Sequence, residues 1–372
     1  VGDEPPLVLV AAGGTGGHLF PAEALAQALI GRGLKVDLAT DVRAERYGRR
    51  FPAGQIHVIA SETLRGRSPI SLARTVAVLS YGTLSAYLLL RRLRPAAVVG
   101  FGGYPTLPPI LAAIARGIPT IIHEQNAVMG RANKLLAGRV RAIALSFAGA
   151  LDHSSALARK AVQTGNPVRP AVAAAAATPY LPPESAGLIR LLVFGGSQGA
   201  HIMSQIVPAA IERLDEALRL RMLVAQQARG EDLGPVRDAY GQLRISAEVA
   251  PFFPDLPSRI AAAHLVVSRS GASTVAELAA IGRPSILVPL PHALDQDQQA
   301  NAAVLEQTGG ALRLRQDEFT PDRLAREITG LVGEPQRLAA MAAAARSAGA
   351  LDAAERLADL VLALIERGAN PR

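Results

Sequence analysis

Short apolar runs alternate with longer Ala/Leu-rich stretches along the chain. Leu7–Ala11, Val36–Ala39, Ala96–Val99 and Thr120–His123 read as buried strands in the first half. Leu188–Phe194, Arg221–Val224, Leu265–Ser268 and Ser285–Pro289 do so in the second. Between them, Ala22–Ile30, Pro109–Arg116 and Ser273–Ile281 have helical composition. Such alternation predicts an α/β protein whose parallel sheets carry helices on both faces. Pro21 suits the first turn of its helix, and Gly31 suits the end. A proline-rich stretch from Gly165 to Gly187 interrupts the pattern, and a strand, a glycine loop and a helix begin again at Leu188. The sequence therefore predicts two Rossmann-like domains, residues 1–165 and 188–345, joined by a linker at 166–187. Two such domains facing each other would form a cleft beyond the carboxyl ends of their strands. The stretch Pro335–Gly368 reads as helix without evident chemistry, and residues 346–372 are expected to return toward the N-terminal domain.

Composition narrows this picture. The 372 residues suit two domains, and with 49% hydrophobic residues each half can bury a core. Only 4% are aromatic, so that core is aliphatic. The absence of cysteine excludes disulfides and thiolate metal sites. The net charge of +8 comes almost entirely from arginine and is weak ground for a nucleic-acid partner; none is expected. Its distribution says more. From Thr63 to His123 there is no acidic residue, while Arg65, Arg67, Arg74, Arg91, Arg92, Arg94 and Arg116 all fall there. Val1–Pro6 do not read as a secretion signal. Ser71–Leu90 is the longest apolar-looking segment, but Arg74, Ser80, Gly82 and Ser85 interrupt it, and it is not expected to span a membrane.

Three glycine-rich loops follow predicted strands: Gly13-Gly14-Thr15-Gly16-Gly17-His18, Gly100-Phe101-Gly102-Gly103-Tyr104-Pro105 and Gly195-Gly196-Ser197-Gln198-Gly199-Ala200. Glycine lets the backbone approach a ligand, and the N–H groups of the following helix favour an anion. None of the loops has the Gly-Lys-Ser/Thr of a Walker loop or the spacing of a dinucleotide fingerprint, although Asp41 stands near where a ribose-binding acid would lie. His18 is a candidate general base, since imidazole titrates near pH 6.5. Ser268-Arg269-Ser270-Gly271-Ala272-Ser273-Thr274-Val275-Ala276-Glu277 combines a helix start suited to phosphate with a carboxylate suited to ribose hydroxyls. His123-Glu124-Gln125-Asn126 puts polar groups at a strand's end, and Arg169 in Gly165-Asn166-Pro167-Val168-Arg169 could reach a diphosphate from the hinge. Asp295 and Asp297 form a DxD pair in an amide-rich loop; no metal and no cofactor are expected.

In this order, GGTGGH, GFGGYP, HEQN, GNPVR, GGSQGA, SGASTVAE and the DQQ segment resemble the MurG family of bacterial N-acetylglucosaminyltransferases over nearly the whole chain. The resemblance implies a GT-B fold, two facing Rossmann-like domains with parallel sheets. It implies inverting transfer of N-acetylglucosamine from UDP-GlcNAc to the muramoyl 4-hydroxyl of lipid I, the undecaprenyl-diphospho-muramoyl-pentapeptide. Lipid II and UDP would be the products, in peptidoglycan synthesis. Carried over by motif, His18 is the catalytic base, and donor contacts fall on Thr15, Gly16, Gly17, Asn126, Arg169, Ser197, Phe253 through its backbone, Ala272, Ser273, Thr274, Val275, Ala276, Glu277 and Gln298. Gly14, Gly103, Tyr104, His123, Glu124, Gln198, Gly199 and Gln299 are further candidates for donor or acceptor contact. The spelling Asp297-Gln298-Gln299 leaves open which glutamine faces the sugar. The two N-terminal loops are expected to serve the acceptor diphosphate and the reaction centre, and GGSQGA with Ser270–Glu277 to hold UDP.

A lipid-linked acceptor is met at the cytoplasmic face of the inner membrane. The arginines between Arg65 and Arg94, interleaved with Leu72, Val76, Leu79, Tyr87 and Leu88, form a basic and apolar patch suited to an anionic surface. The resemblance also implies partners among cell-wall and division proteins. Other readings are a UDP-GlcNAc epimerase or glycolipid synthase of the same fold, a non-catalytic UDP-sugar-binding partner, and an NAD-dependent dehydrogenase.

Overall fold

The structure is a computed structural model and describes residues 4–13, 16–42, 51–62, 68–151, 155–196, 199–291 and 296–369. The chain forms two compact units, Val1–Arg169 with Leu351–Arg372, and Pro170–Ala350. The proline-rich stretch read as a linker contains a helix, Pro170–Ala176, which packs within the second unit.

The first unit is built on seven strands: β1 (Leu7–Ala11), β2 (Lys35–Thr40), β3 (Ile56–Val58), β4 (Ala97–Gly100), β5 (Thr120–Glu124), β6 (Ala142–Leu145) and β7 (Ala161–Gln163). All pair in parallel, in the order β3-β2-β1-β4-β5-β6-β7. Side chains alternate across a strand, and both faces are buried. Val8 and Val10 join one core with Leu19, Leu25 and Leu29 of α1 (Gly16–Gly31); Leu9 and Ala11 join the other with Ala86 and Leu90 of α2 (Pro69–Leu93) and Ile110 of α3 (Leu107–Ala115). The last helix, Ala353–Ala369, belongs to this unit and buries Leu357, Ala358 and Val361 in the α1 core. Arg32 also bonds Glu355 and Asp359 there, but these exposed pairs contribute little beside the apolar burial.

α1 starts at Gly16, so Pro21 lies inside it and not at its first turn. The helix begins directly out of the glycine loop, ahead of the proline that seemed to mark its start.

The second unit repeats the design with β8 (Ile189–Phe194), β9 (Met222–Gln227), β10 (Ser246–Ala250), β11 (Leu265–Ser268), β12 (Ser285–Leu287) and β13 (Ala311–Arg313), in the parallel order β10-β9-β8-β11-β12-β13. Arg283 is the largest fully buried side chain of the described residues. Its guanidinium donates to Ala261 O at 2.9 and 2.6 Å, to Ile281 O at 2.9 Å, to Gly282 O at 3.0 Å and to Thr178 O at 3.0 Å. The carbonyls of Ala261, Ile281 and Gly282 close the helices Leu256–Ala262 and Ala272–Ile281, whose negative ends suit a cation. Burial pulls the pKa of Arg283 below the ordinary arginine value. Arg283→Ala should leave these carbonyls unsatisfied and destabilise the second unit by about 3 kcal/mol or more. A lowered urea midpoint would show it, and Arg283→Lys should not restore it, because one ammonium cannot replace a planar fork.

Candidate functional site

Each sheet reverses its strand order once, and the candidate loops of the sequence lie at both reversals. In the first unit the reversal falls between β1 and β4, which lead into the first and second glycine loops. In the second it falls between β8 and β11, which lead into GGSQGA and the Ser268–Glu277 segment. Chains leaving neighbouring strands at such a point diverge and leave a crevice for a ligand.

Gly14 and Thr15 lie outside the described residues; Gly16, Gly17 and His18 form the first turn of α1. The His18 ring rests against the second loop. Gly102 and Gly103 have φ of +77° and +74°, which favour glycine, and a Cβ on Gly103 would stand 3.4 Å from His18 Nε2. The structure thus brings His18, Gly103 and Tyr104 of the following turn to one edge of the sheet. Arg169 stands over the Phe20 ring of α1 at 4.1 Å. It also opposes burial at Glu23, whose pKa is nevertheless raised because desolvation dominates.

The end of β5 is buried more deeply than its polar sequence suggested. Glu124 accepts from Asn126 N at 2.9 Å, Gly130 N at 2.9 Å, Asn133 Nδ2 at 2.8 Å and Asn126 Nδ2 at 3.3 Å. Burial raises its pKa and these four donors oppose the rise, so Glu124 anchors the loop from beneath while Asn126 stays half-buried. His123 is fully buried; its Nε2–H donates to Gly165 O at 3.0 Å, and its Nδ1 accepts from Gln125 Nε2 at 3.2 Å. Desolvation, opposed by the bond to Gly165 and aided by the charge of His18, lowers its pKa to about 4. Among the described residues, Gln125 Oε1 and both polar atoms of Asn166 are buried without a hydrogen-bond partner. Both fall within motifs read from the sequence, but neither was assigned a contact there, because an unmet carboxamide is visible only once its neighbours are placed.

In the second unit, Ser197 and Gln198 lie outside the described residues. Gly196 and Gly199 flank them, and a Cβ on Gly195 would collide with Ala200 N, so the backbone there approaches as closely as only glycine allows. Gly271 caps the helix Ala272–Ile281 without a side-chain bond, which leaves its first-turn N–H groups aimed past the end of β11. Ser273 and Thr274 are half-buried in that turn and Glu277 is buried a turn further on. Val275 is core, and its N–H already bonds Gly271 O. Ser270 Oγ donates to Gln298 O at 2.8 Å, and Gln298 Oε1 accepts from Leu290 N at 3.0 Å. Gln299 faces Arg313 at 3.5 Å, so Gln298 is the glutamine tied to the helix start. Asp297 accepts from Gln298 N, and Asp295 lies outside the described residues. The Phe253 ring is buried under Arg259 at 4.2 Å, so its side chain has a packing role that a purely backbone contact did not anticipate. Arg269 donates to Val288 O and Pro289 O at 3.0 Å, and burial lowers its pKa to about 10. A cavity of about 270 Å³ along Arg190, Leu223, Ser246 and Arg259 is lined by none of these candidates.

Two parallel sheets, each with small-residue loops at its single strand reversal, give the chain the architecture of the GT-B class. The chain belongs to glycosyltransferase family 28: residues 8–145 match its N-terminal domain and 190–357 its C-terminal domain. It is 63% identical over 357 residues to the UDP-N-acetylglucosamine--N-acetylmuramyl-(pentapeptide) pyrophosphoryl-undecaprenol N-acetylglucosamine transferase of Rhodopseudomonas palustris strain BisB18, covering 96% of this chain and 95% of that one. The protein of the same name from Bradyrhizobium sp. strain ORS 278 is also 63% identical, over 96% and 97% of the two chains. The crystal structure of Acinetobacter baumannii MurG is similar with a TM-score of 0.78 and 30% identity, covering 96% of this chain and 100% of that one. The UDP-GlcNAc 2-epimerase of Neisseria meningitidis, at 13% identity and a TM-score of 0.68, shares the fold alone. This membership sets aside the dehydrogenase reading.

The pKa of His123 has a consequence for stability. An unfolded histidine titrates near 6.5 and the folded one near 4, so between these values the unfolded chain binds more protons. Stability is therefore full above about pH 6.5 and is lost as pH falls toward 4, by about 3 kcal/mol from this residue. Melting temperatures between pH 7 and pH 4 should fall less steeply in His123→Gln than in the wild type.

Proposed function

We propose that this chain transfers N-acetylglucosamine from UDP-GlcNAc to the muramoyl 4-hydroxyl of lipid I, forming lipid II and releasing UDP in peptidoglycan synthesis. The observation that carries the reading is the seat of His18 at the strand reversal between two glycine loops, in a chain of this family. The 4-hydroxyl oxygen attacks C1 of the sugar from the face opposite UDP. The C1–O bond to the diphosphate breaks, its electron pair leaves with UDP, and the hydroxyl proton passes to His18. The charge developing on the leaving diphosphate suits the open N–H groups at the start of Ala272–Ile281 and the nearby loop. Glu277 and Gln298 are assigned to the sugar nucleotide with them, as are Gly16, Gly17, Asn126 and Arg169 in the first unit.

Labelled UDP-GlcNAc incubated with a lipid-linked muramoyl acceptor should deliver label to the lipid, with EDTA present or absent. His18→Ala should lower kcat by about 100-fold or more while the protein stays folded. Epimerised sugar without transfer would overturn the reaction, and a near-normal kcat in His18→Ala would overturn the base.

The acceptor's lipid anchor places the enzyme at the cytoplasmic face of the plasma membrane, and α2 supports a peripheral attachment. It is long and apolar enough by composition to cross a bilayer, yet Thr75, Ala86 and Leu90 are buried against the first unit. Its outer face carries Ile70, Val76, Tyr81, Leu84 and Leu88, all exposed, with Arg91, Arg92 and Arg94 exposed at its end. Leu79 packs inward, Arg74 pairs with Glu62 at 3.3 Å, and Arg65 and Arg67 lie outside the described residues. A helix lying in the interface with its basic end on anionic headgroups fits this division. Co-sedimentation should rise with the anionic lipid content of vesicles, and Leu84→Ser with Leu88→Ser should weaken it while leaving UDP-GlcNAc binding unchanged.

A further inference from the structure

The orientation of the Gln125 carboxamide is set by its neighbours. His123 is neutral, and because its Nε2–H is given to Gly165 O, its Nδ1 is an acceptor. The group facing Nδ1 at 3.2 Å must therefore be the Gln125 nitrogen, which also donates to Phe101 O at 2.9 Å. The reversed amide would place its oxygen against a lone pair on each side. Both hydrogens of Gln125 Nε2 are thus committed, and its oxygen is turned the other way.

That oxygen faces the second glycine loop. It lies 3.6 Å from the point a Cβ on Gly102 would occupy, and His18 Cε1 lies 3.6 Å from the same point. Gln125 is 2% exposed, and its Oε1 is buried without a hydrogen-bond partner among the described residues. A buried acceptor left unmet costs about 1–3 kcal/mol, so the position implies a donor. His18 can supply one. Its Nδ1 is the buried nitrogen of the ring, and Nε2 is the one beside Gly103. If Nε2 is to take a proton, Nδ1 must carry the hydrogen, and that hydrogen needs an acceptor on the buried side.

We propose that Gln125 is a positioning residue for His18: its Oε1 accepts the Nδ1–H through one water, and so fixes Nε2 as the nitrogen that takes the acceptor's proton. The relay runs from the Gly165 carbonyl through His123 and Gln125 to His18, and a buried neutral imidazole serves to aim an amide. The inference rests on the reading of His18 as the base, but its test separates the two.

In the 15N-labelled wild type, His18 should show a protonated Nδ1 and an unprotonated Nε2 at pH 8. The near-isosteric Gln125→Met, which keeps the volume and removes the acceptor, should shift His18 toward the other tautomer. It should lower kcat about tenfold, one hydrogen bond's worth, with KM for UDP-GlcNAc within about twofold. In a His18→Ala background the same change should have no further effect on kcat, as two residues acting through one group require. Additive losses in that cycle, or a wild-type His18 protonated at Nε2, would overturn the proposal. If Gln125→Met does not fold, the wild-type tautomer alone decides it. A near-normal kcat in His18→Ala would remove the base while the tautomer still reports whether Gln125 bonds the ring.

Discussion

A parallel sheet that reverses its strand order has one place where the chains leaving adjacent strands turn to opposite faces. No backbone closes that gap, so whatever the loops there present is held rigidly yet left accessible. This protein builds the arrangement twice, at β1 and β4 and again at β8 and β11. The rest of each unit serves to hold those four strand ends in register. Strands buried on both faces, the helices that cover them and the buried Arg283 behind Ala272–Ile281 act on the loops only through this frame.

The two reversals are not chemically alike. The first is lined by an imidazole, positive-φ glycines and a buried neutral histidine, a setting for moving a proton. The second offers helix N–H groups, hydroxyls and one buried carboxylate, a setting for holding an anion and a ribose. One architecture with different loops thus carries two different chemical surroundings, in keeping with function residing in sites placed on a common fold.

Much of this was legible in the sequence because the signals were local. A glycine loop after an apolar run names a strand end, a turn and a helix start together, and β1, β4 and β8 follow that rule. β3, β6, β7, β10 and β13 were not anticipated: Ile56–Val58, Ala142–Leu145, Ala161–Gln163 and Ala311–Arg313 are too short to show a period, and Ser246–Ala250 is too polar. The start of α1 was misjudged because proline is a local signal and the glycine loop overrode it. The ordered motifs named most candidate residues, but not what each does in place. Glu124 and His123 read as possible ligand contacts and are buried and hydrogen-bonded from within the unit, whereas the oxygen of Gln125 and the carboxamide of Asn166 are buried without a hydrogen-bond partner among the described residues. Hydrogen-bond satisfaction is a property of three-dimensional neighbours and leaves no mark on spacing.

The path of the chain between units carries a further consequence. The helix Ala353–Ala369 completes the α1 core, yet all of Pro170–Ala350 precedes it in the chain. During synthesis the first unit therefore emerges with one face of its sheet only partly covered, and it stays so while the second unit is made and folds. The apolar surface that Leu357, Ala358 and Val361 will cover is open to water, or to a chaperone, for that interval. The order of events is reversed from the order of the sequence: the unit that begins first is finished last.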